Sequence, residues 1–315
     1  MKDPGLRVVG ASASVATTPT PGGNAEAAVD RRPFAVADYV ELTKPRLNLL
    51  VVATSAGGFY LASQGAPALL PMAAASVGTA LVAGGAAVLN QVLERDTDGL
   101  MHRTRSRPLP AGRVAQGDAR TFGFALAAAG LGLLGAATNL LAALLALASI
   151  AIYLLIYTPM KRRSPLSTLI GAVPGALPPL IGWTAGSGAA SEGGWALFAI
   201  VFLWQIPHFM AIAWMYRDDY RRAQLPMLSV IEPSGRRAGR QAVMYAAALV
   251  PMSLAPAFVG VTGPAYGWFA AVLGIALLGL AVRFATTRSD ASARLLFFGS
   301  ITYLPLIWAA MMIDH

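Results

Sequence analysis

The chain has 315 residues, of which 56% are hydrophobic and only 12% are charged, and it contains no cysteine. Soluble domains carry about 25% charged residues, so this composition excludes an ordinary soluble protein and indicates a polytopic membrane protein. Without cysteine the chain has no disulfide, no thiolate metal site and no thiol nucleophile.

The predicted elements begin after a polar tail. Residues 1–33 are rich in Ala, Gly, Ser, Thr and Pro and lack hydrophobic periodicity, which predicts a disordered N-terminal tail. Residues 34–315 are predicted to form one domain with nine apolar segments, each near the ~20 residues that a membrane-spanning helix needs. The segments run from Leu47 to Ser63, Pro67 to Val92, Thr121 to Ala137, Leu140 to Thr158, Leu166 to Gly186, Trp195 to Tyr216, Ala242 to Val261, Pro264 to Phe284 and Leu295 to Ile313. The predicted fold class is all-α, a membrane bundle of nine transmembrane helices.

The distribution of charge predicts the orientation of this bundle. With nine spans, all 24 Lys and Arg fall on one side of the membrane or at its edge, whereas the other side carries only Glu192 and Asp314. The positive-inside rule then places the N-terminus in the cytoplasm and the C-terminus in the periplasm of a bacterial inner membrane, with a mitochondrial inner membrane as the alternative. The net charge of +9 needs no nucleic-acid partner, because these loops contact the lipid bilayer and can hold anionic substrates.

A polar motif follows the second span, NQVLERDTDGLMHRTRSRP, from Asn90 to Pro108. Asn90, Glu94 and Asp98 are four residues apart, so on a helix they share one face. Oxygen ligands grouped in this way suit Mg²⁺, which binds carboxylates together with substrate phosphates. Three arginines follow directly and can bind the same phosphates: Arg103, Arg105 and Arg107. The alternative is a solvated charged loop at the membrane edge.

Further charged residues are predicted on the same side of the membrane. Asp218 and Asp219 follow the sixth span much as Glu94 to Asp98 follow the second, which brings two acidic clusters to one face. Additional metal ligands are therefore expected among Asp96, Asp218 and Asp219. Four basic residues can neutralise phosphate oxygens or merely set the topology: Lys44, Arg46, Lys161 and Arg162. Together these groups predict one ionic opening above apolar walls, suited to a diphosphate with a hydrocarbon tail.

The sixth span contains a histidine, His208, in the sequence WQIPHF. An ionisable side chain inside a membrane segment is costly and is a functional candidate by default. His208 can ligate a metal centre, donate a hydrogen bond or pack against Gln205 one turn earlier.

These motifs resemble those of the UbiA-type intramembrane prenyltransferases, and more closely the branch that farnesylates haem, in which the acids run into M-x-R-T-x-x-R-P. The matching residues here are Met101, Arg103, Thr104, Arg107 and Pro108. LTKPR, YTPMKRRSP, GAVPGALPPLIGW, WQIPHF and DYRRAQLPML also match that branch, in order. Two positions depart from the wider pattern: Glu94 stands where Asp is common, and Ala223 stands where many members have a second acid four residues after Asp219.

The resemblance implies a nine-helix bundle around a central cavity, dependence on Mg²⁺, and farnesyl diphosphate and haem b as substrates. The product would be haem O, a precursor of haem–copper oxidase cofactors, and a haem A synthase is a possible partner. The implied catalytic residues are Asn90, Glu94, Asp98, Lys161 and Asp219. The acids would hold Mg²⁺, the substrate-binding cations would be Lys44, Arg46, Arg103, Arg107 and Arg162, and His208 would orient the haem.

Two other functions compete with this expectation. Another UbiA-type enzyme, acting on an aromatic acid or a chlorophyll precursor, would share the diphosphate site but has no need for WQIPHF. A transporter would place ionisable groups near the bilayer midplane. The acids of this chain cluster at one edge instead, which argues against transport.

Overall fold

The computed structural model describes residues 35–63 and 65–315. The predicted disordered tail, residues 1–33, lies outside this part of the chain. All regular secondary structure in the described residues is helical. The helices are α1 (Val36–Leu42), α2 (Pro45–Ala62), α3 (Leu69–Gly99), α4 (Gln116–Ala137), α5 (Leu140–Met160), α6 (Ser167–Ser187), α7 (Glu192–Met215), α8 (Arg217–Arg222), α9 (Leu228–Ile231), α10 (Arg236–Met252), α11 (Ala255–Phe258), α12 (Pro264–Thr287) and α13 (Asp290–Ile313).

The prediction of an all-α membrane bundle is confirmed, with a small correction to its helix count. Within the described residues, eight helical stretches are long and apolar enough to cross a membrane, one fewer than predicted. The difference is α2, which carries Arg46, Asn48, Thr54 and Ser55 in its 18 residues and is therefore less apolar than the others. It still runs through the bundle, because it begins beside the ionic groups of α3 and ends at Ala62, one residue before Ser63, whose carbonyl oxygen lies 3.4 Å from His315 Nε2.

Two groups of helices build the core. One apolar cluster joins α7, α10, α12 and α13, and a second joins α3, α4, α5 and α6. Helix α2 packs on α3 and α6, and the cavity described below lies between the two clusters. The fold therefore places residues from both halves of the chain around one hollow.

Glycines allow α2 and α6 to approach very closely. A Cβ atom at Gly58 would lie 2.2 Å from the Pro179 carbonyl oxygen, and one at Gly182 would lie 1.8 Å from the Ser55 carbonyl oxygen. Small residues are the usual means of close helix packing in membranes, because apolar side chains there gain little by leaving the lipid.

We expect Gly182→Ala to destabilise the bundle by about 1–3 kcal/mol, the usual cost of overpacking, because its methyl group meets backbone that cannot rotate away. Thermal unfolding of the detergent-purified protein measures the effect. Gly132→Ala on α4 is the matched control, since a Cβ at Gly132 meets nothing within 4 Å. Equal melting temperatures for the two variants would contradict the packing argument.

Prolines and a π-helical segment shape the wall of the cavity. Pro178 has no N–H to donate to the Pro174 carbonyl oxygen one turn earlier, and the Ser149 hydroxyl of α5 donates to that oxygen instead, at 3.2 Å. In α5 the segment Ile152–Tyr157 is wound as a π-helix, a local irregularity that often marks functional sites. Helices α5 and α6 are thus irregular where they face the cavity.

Candidate functional site

A cavity of about 550 Å³ opens among α2, α3, α5, α6 and α7. Most of its wall is apolar, and its charged lining residues lie together where α3 and α5 end. We call this group the ionic end of the cavity: Lys44, Glu94, Asp98, Arg103, Arg107 and Lys161. One hollow therefore offers charged groups at one end and an apolar surface over the rest of its length.

The predicted face of α3 lines this cavity. Asn90, Glu94 and Asp98 are 3%, 4% and 2% exposed, and all three face the hollow. Asn90 donates from its amide nitrogen to the Thr158 hydroxyl at 3.0 Å, which leaves its carbonyl oxygen as a ligand atom. Spacing by four residues along one regular helix has produced a row of oxygen-bearing side chains.

Basic side chains neutralise both carboxylates of this row. Lys161 Nζ lies 3.0 Å from Glu94 Oε1, and Arg107 donates to Asp98 Oδ2 at 2.7 Å. Burial opposes the charge on Lys161, but neighbouring Tyr157 and Glu94 outweigh it and raise the pKa of the ammonium group above its ordinary value. Lys161 therefore stays charged at every physiological pH.

Lys44 has a different environment. It sits between α1 and α2 in the left-handed region, at φ 52° and ψ 60°, and its side chain lines the ionic end. Burial, together with the positive charges of Arg107 and Lys161, lowers the pKa of Lys44 to about 8, against the opposing effect of Glu94 and Asp98. Lys44 is thus a cation that titrates near physiological pH.

Asp219 joins the second acidic loop to the first. It is 7% exposed, accepts a hydrogen bond from the backbone N–H of His102 at 3.3 Å, and is paired with Arg222. Burial alone would raise the pKa of Asp219, but the hydrogen bonds from Arg222 and His102 lower it below the ordinary value. Asp219 does not line the cavity, so it contacts the loop after α3 rather than the row on α3 itself.

Four residues predicted to bind metal or substrate are exposed and do not line the cavity: Asp96, Asp218, Arg46 and Arg162. Asp96 is two residues from Glu94, which turns it to the opposite side of α3. Asp218 pairs with Arg221 at the surface, at 2.7 Å. Arg162 donates to the Thr97 hydroxyl at 2.6 Å, outside the hollow. These four side chains are therefore not part of the cavity wall, and their roles at its opening stay predictions.

Glu94 and Asp98, the two acidic residues that line the cavity, suit a divalent cation that also binds a phosphorylated substrate. No set of three Asp, Glu or His side chains in the described residues is close enough to enclose a metal ion. Mg²⁺ needs no such set, because it commonly takes one or two carboxylates and completes its shell with water and phosphate. Asn90, Glu94 and Asp98 supply that kind of partial oxygen shell along the cavity face of α3.

His208 lies deeper along the wall. Its ring is stacked between those of Trp204 and Phe297, with centroids 5.1 and 5.0 Å away, and its Nδ1 lies 2.8 Å from the Ser300 hydroxyl oxygen. Tyr153 and Tyr157, from the π-helical segment of α5, also line the cavity and stack on each other at 5.3 Å. The hollow therefore has aromatic walls below its ionic end.

Several polar lining residues were not predicted, and Asn48 and Tyr220 are the two that lie beside predicted residues. Asn48 lines the cavity one turn after Lys44, and Tyr220 lines it directly after Asp219. Helical spacing from Lys44 would have identified Asn48. Membership in the DYRRAQLPML motif is the signal that points to Tyr220.

Comparison with known proteins identifies the family of this chain. The sequence pattern of the UbiA prenyltransferase family matches residues 50–302. The chain is 45% identical over 287 residues to "Protoheme IX farnesyltransferase" of Solibacter usitatus, covering 88% of this chain and 98% of that protein. It is 49% identical over 280 residues to the protein of the same name from Opitutus terrae, covering 89% and 95%.

Solved structures show the same fold. A structure of digeranylgeranylglyceryl phosphate synthase superposes with a TM-score of 0.76 at 17% identity, covering 89% of this chain and 98% of that one. A UbiA homologue from Archaeoglobus fulgidus bound to GPP and Mg²⁺ gives a TM-score of 0.63 at 18% identity, covering 87% and 99%. The match over residues 50–302 and the near full-length identity show that this chain belongs to the UbiA prenyltransferase family.

Proposed function

We propose that this membrane protein transfers the farnesyl group of farnesyl diphosphate to a vinyl group of protohaem IX (haem b), giving haem O. Its relatives at 45% and 49% identity are named for this acceptor and this prenyl group. The observation that carries the proposal is the row of Asn90, Glu94 and Asp98 at the ionic end of an otherwise apolar cavity. Charged groups for a diphosphate and apolar walls for an isoprenoid occupy one hollow.

The ionic end would bind the diphosphate. Lys161, Arg107 and Arg103 can contact phosphate oxygens there, and Lys44 adds a fourth positive charge. Mg²⁺, when bound by Asn90, Glu94 and Asp98 together with phosphate oxygens, would neutralise the charge of the departing pyrophosphate. Asp219 would act through His102, by holding in place the loop that carries Arg103 and Arg107.

The reaction proceeds in two bond changes and a hydration. The bond between farnesyl C1 and the diphosphate oxygen breaks, and its electron pair leaves with pyrophosphate, whose charge the cations stabilise. The π electrons of a haem vinyl group form the new carbon–carbon bond to C1. Water adds to the cation left on the vinyl-derived carbon and loses a proton, so the product carries a hydroxyethylfarnesyl group and nothing is oxidised or reduced.

The walls protect the allylic cation until the haem attacks it. Tyr153 and Tyr157 line the cavity as a stacked pair, and the faces of aromatic rings attract cations. The apolar lining keeps bulk water from C1, which would otherwise consume the farnesyl cation as farnesol. The walls thus favour transfer over hydrolysis.

The titration of Lys44 predicts how substrate affinity depends on pH. Below its pKa of about 8, Lys44 is positive and attracts the diphosphate; above it, the amine is neutral and that attraction is lost. We therefore expect the KM for farnesyl diphosphate to rise about tenfold as pH increases through 8, since one close charge pair contributes about 1–4 kcal/mol. Lys44→Arg keeps the charge at all pH values and should flatten the profile. Identical profiles for both proteins would contradict the prediction.

A direct assay tests the function. The purified chain is incubated with Mg²⁺, farnesyl diphosphate and haem b, and pyrophosphate release and the mass of the haem product are measured. We expect haem O and pyrophosphate in equal amounts. A parallel incubation replaces haem b with an aromatic acid. Prenylation of that acid, with unchanged haem in the first assay, would instead assign the chain to another branch of the family, and no pyrophosphate release with either acceptor would contradict a transferase.

We also propose the extent of the domain and its place in the membrane. We place the catalytic domain at residues 34–315 of a multi-pass protein in the bacterial inner membrane, with the N-terminus cytoplasmic and the C-terminus periplasmic. The basic loops between the helices support this orientation. The proposed product is a membrane-soluble haem, so an enzyme that oxidises haem O, such as a haem A synthase, is the expected downstream partner.

A further inference from the structure

Ser300 of α13 holds two side chains of α7 that are one helical turn apart. Trp204 Nε1 donates to the Ser300 carbonyl oxygen at 2.7 Å, and His208 Nδ1 lies 2.8 Å from the Ser300 hydroxyl oxygen. The imidazole is also stacked between the rings of Trp204 and Phe297, at interplanar angles of 19° and 21°. These contacts fix both the plane and the direction of the His208 ring.

The hydrogen bonds of Ser300 favour one tautomer of the His208 ring. A serine hydroxyl has one hydrogen, and that of Ser300 is donated to the Phe297 carbonyl oxygen at 2.7 Å. With its hydrogen on that carbonyl, the Ser300 oxygen is the acceptor toward His208, and we take this arrangement as part of the proposal below. In it Nδ1 of His208 carries the proton, and Nε2 of the neutral ring keeps a free lone pair.

Nε2 is available to a ligand in the cavity. It has no hydrogen-bond partner among the described residues. It also keeps some accessible surface, so a ligand can reach it. His208 lines the cavity below the ionic end, where its neighbours are mostly apolar. An unprotonated imidazole nitrogen held in a fixed direction in such a site is a ligand for a transition metal, and haem iron is a common partner.

We propose that His208 Nε2 ligates the iron of the haem substrate, and that Ser300 is the positioning residue that keeps this nitrogen unprotonated. The inference rests on the proposed function, which brings a haem into this cavity. Iron ligation fixes the macrocycle relative to α7 and thereby limits which edge of the haem can meet the farnesyl chain. The role of Ser300 corresponds to the hydrogen-bonded partners that orient metal-binding histidines in general.

The test is a titration of the purified full-length protein with ferric haem b in the absence of farnesyl diphosphate, followed by Soret absorbance and electron paramagnetic resonance. We expect a histidine-ligated spectrum for the wild type, its loss in His208→Ala, and its return when free imidazole is added to that variant. Ser300→Ala should weaken haem binding about 10- to 100-fold, the usual cost of removing the partner of a metal-ligating histidine. Ser300→Thr keeps a hydroxyl and should restore most of the affinity.

Thr302→Ala is the matched control, because Thr302 lies on the same helix, is exposed, and also donates its hydroxyl to a backbone carbonyl one turn earlier. A wild-type spectrum identical to that of His208→Ala would overturn the ligation, and wild-type affinity in Ser300→Ala would overturn the positioning role. Farnesyl transfer is measured on the same preparations. Turnover without a histidine-ligated spectrum rejects this inference alone, whereas histidine ligation without turnover rejects the proposed function alone.

Discussion

Asp98→Asn should lower kcat/KM for farnesyl transfer about a thousandfold, the upper range for removing one preorganised group that stabilises transition-state charge. Asp98 is 2% exposed and is one of two carboxylates on the cavity face of α3. Asparagine keeps the size of the side chain and an oxygen that can accept from Arg107, so the change removes mainly the negative charge. Steady-state assays over a range of Mg²⁺ concentrations measure the loss, and we expect the Mg²⁺ requirement to rise.

Asp96→Asn is the matched control for this variant. It removes an acid from the same turn of α3, but Asp96 is exposed and does not line the cavity. We expect activity within threefold of wild type, since surface substitutions of this kind cost about 0.5 kcal/mol or less. Similar losses in both variants would show that only the total negative charge at the end of α3 matters. Wild-type activity in Asp98→Asn would reject Asp98 as a Mg²⁺ ligand.

Lys161→Gln should lower kcat/KM about a hundredfold, because it removes a permanent cation from the ionic end, where the pyrophosphate leaves. The variant also leaves Glu94 buried without its partner, and breaking a buried ion pair costs about 3–5 kcal/mol of stability. Activity and melting temperature must therefore be measured together. The double variant Glu94→Gln with Lys161→Gln separates the two effects, because it leaves no unpaired charge.

We expect this double variant to recover the melting temperature without recovering activity. Recovery of both would contradict the proposed roles of Glu94 as a metal ligand and of Lys161 as a phosphate-binding cation. Arg162→Gln is the control on the neighbouring residue: Arg162 is exposed and donates to Thr97 outside the cavity, so its removal should change activity less than threefold.

Much of the fold and part of the site could be predicted from the sequence. Apolar segments of near-constant length predict membrane helices directly, because the thickness of the bilayer sets their length. The row of Asn90, Glu94 and Asp98 was predictable for a similar reason, since spacing by four residues on a long helix leaves one possible face. Both predictions use only the spacing of residues within a single helix and need no knowledge of how the helices pack.

The second acidic loop was harder to predict. Asp218 and Asp219 are adjacent, and the sequence does not determine which way the six-residue helix α8 faces. In the structure Asp219 turns toward His102 and Asp218 turns toward Arg221 at the surface. The contact between His208 and Ser300 was equally hidden, because it joins residues 92 positions apart through the packing of α7 on α13.

The modest apolarity of α2 has a consequence for biogenesis. A segment with Arg46 and Asn48 near its start partitions poorly into lipid by itself, because charged and amide groups are costly to transfer from water. We expect α2 to enter the bilayer stably only once α3 and α6 offer their glycine-lined surfaces to it. In truncated chains that end before Ser167, at the start of α6, a single cysteine introduced into α2 should therefore react with a membrane-impermeant maleimide, although α3, α4 and α5 still anchor the chain. Stable insertion of α2 would then be the step that brings Lys44 to the ionic end. The complete cavity would therefore form only after α6 has been made.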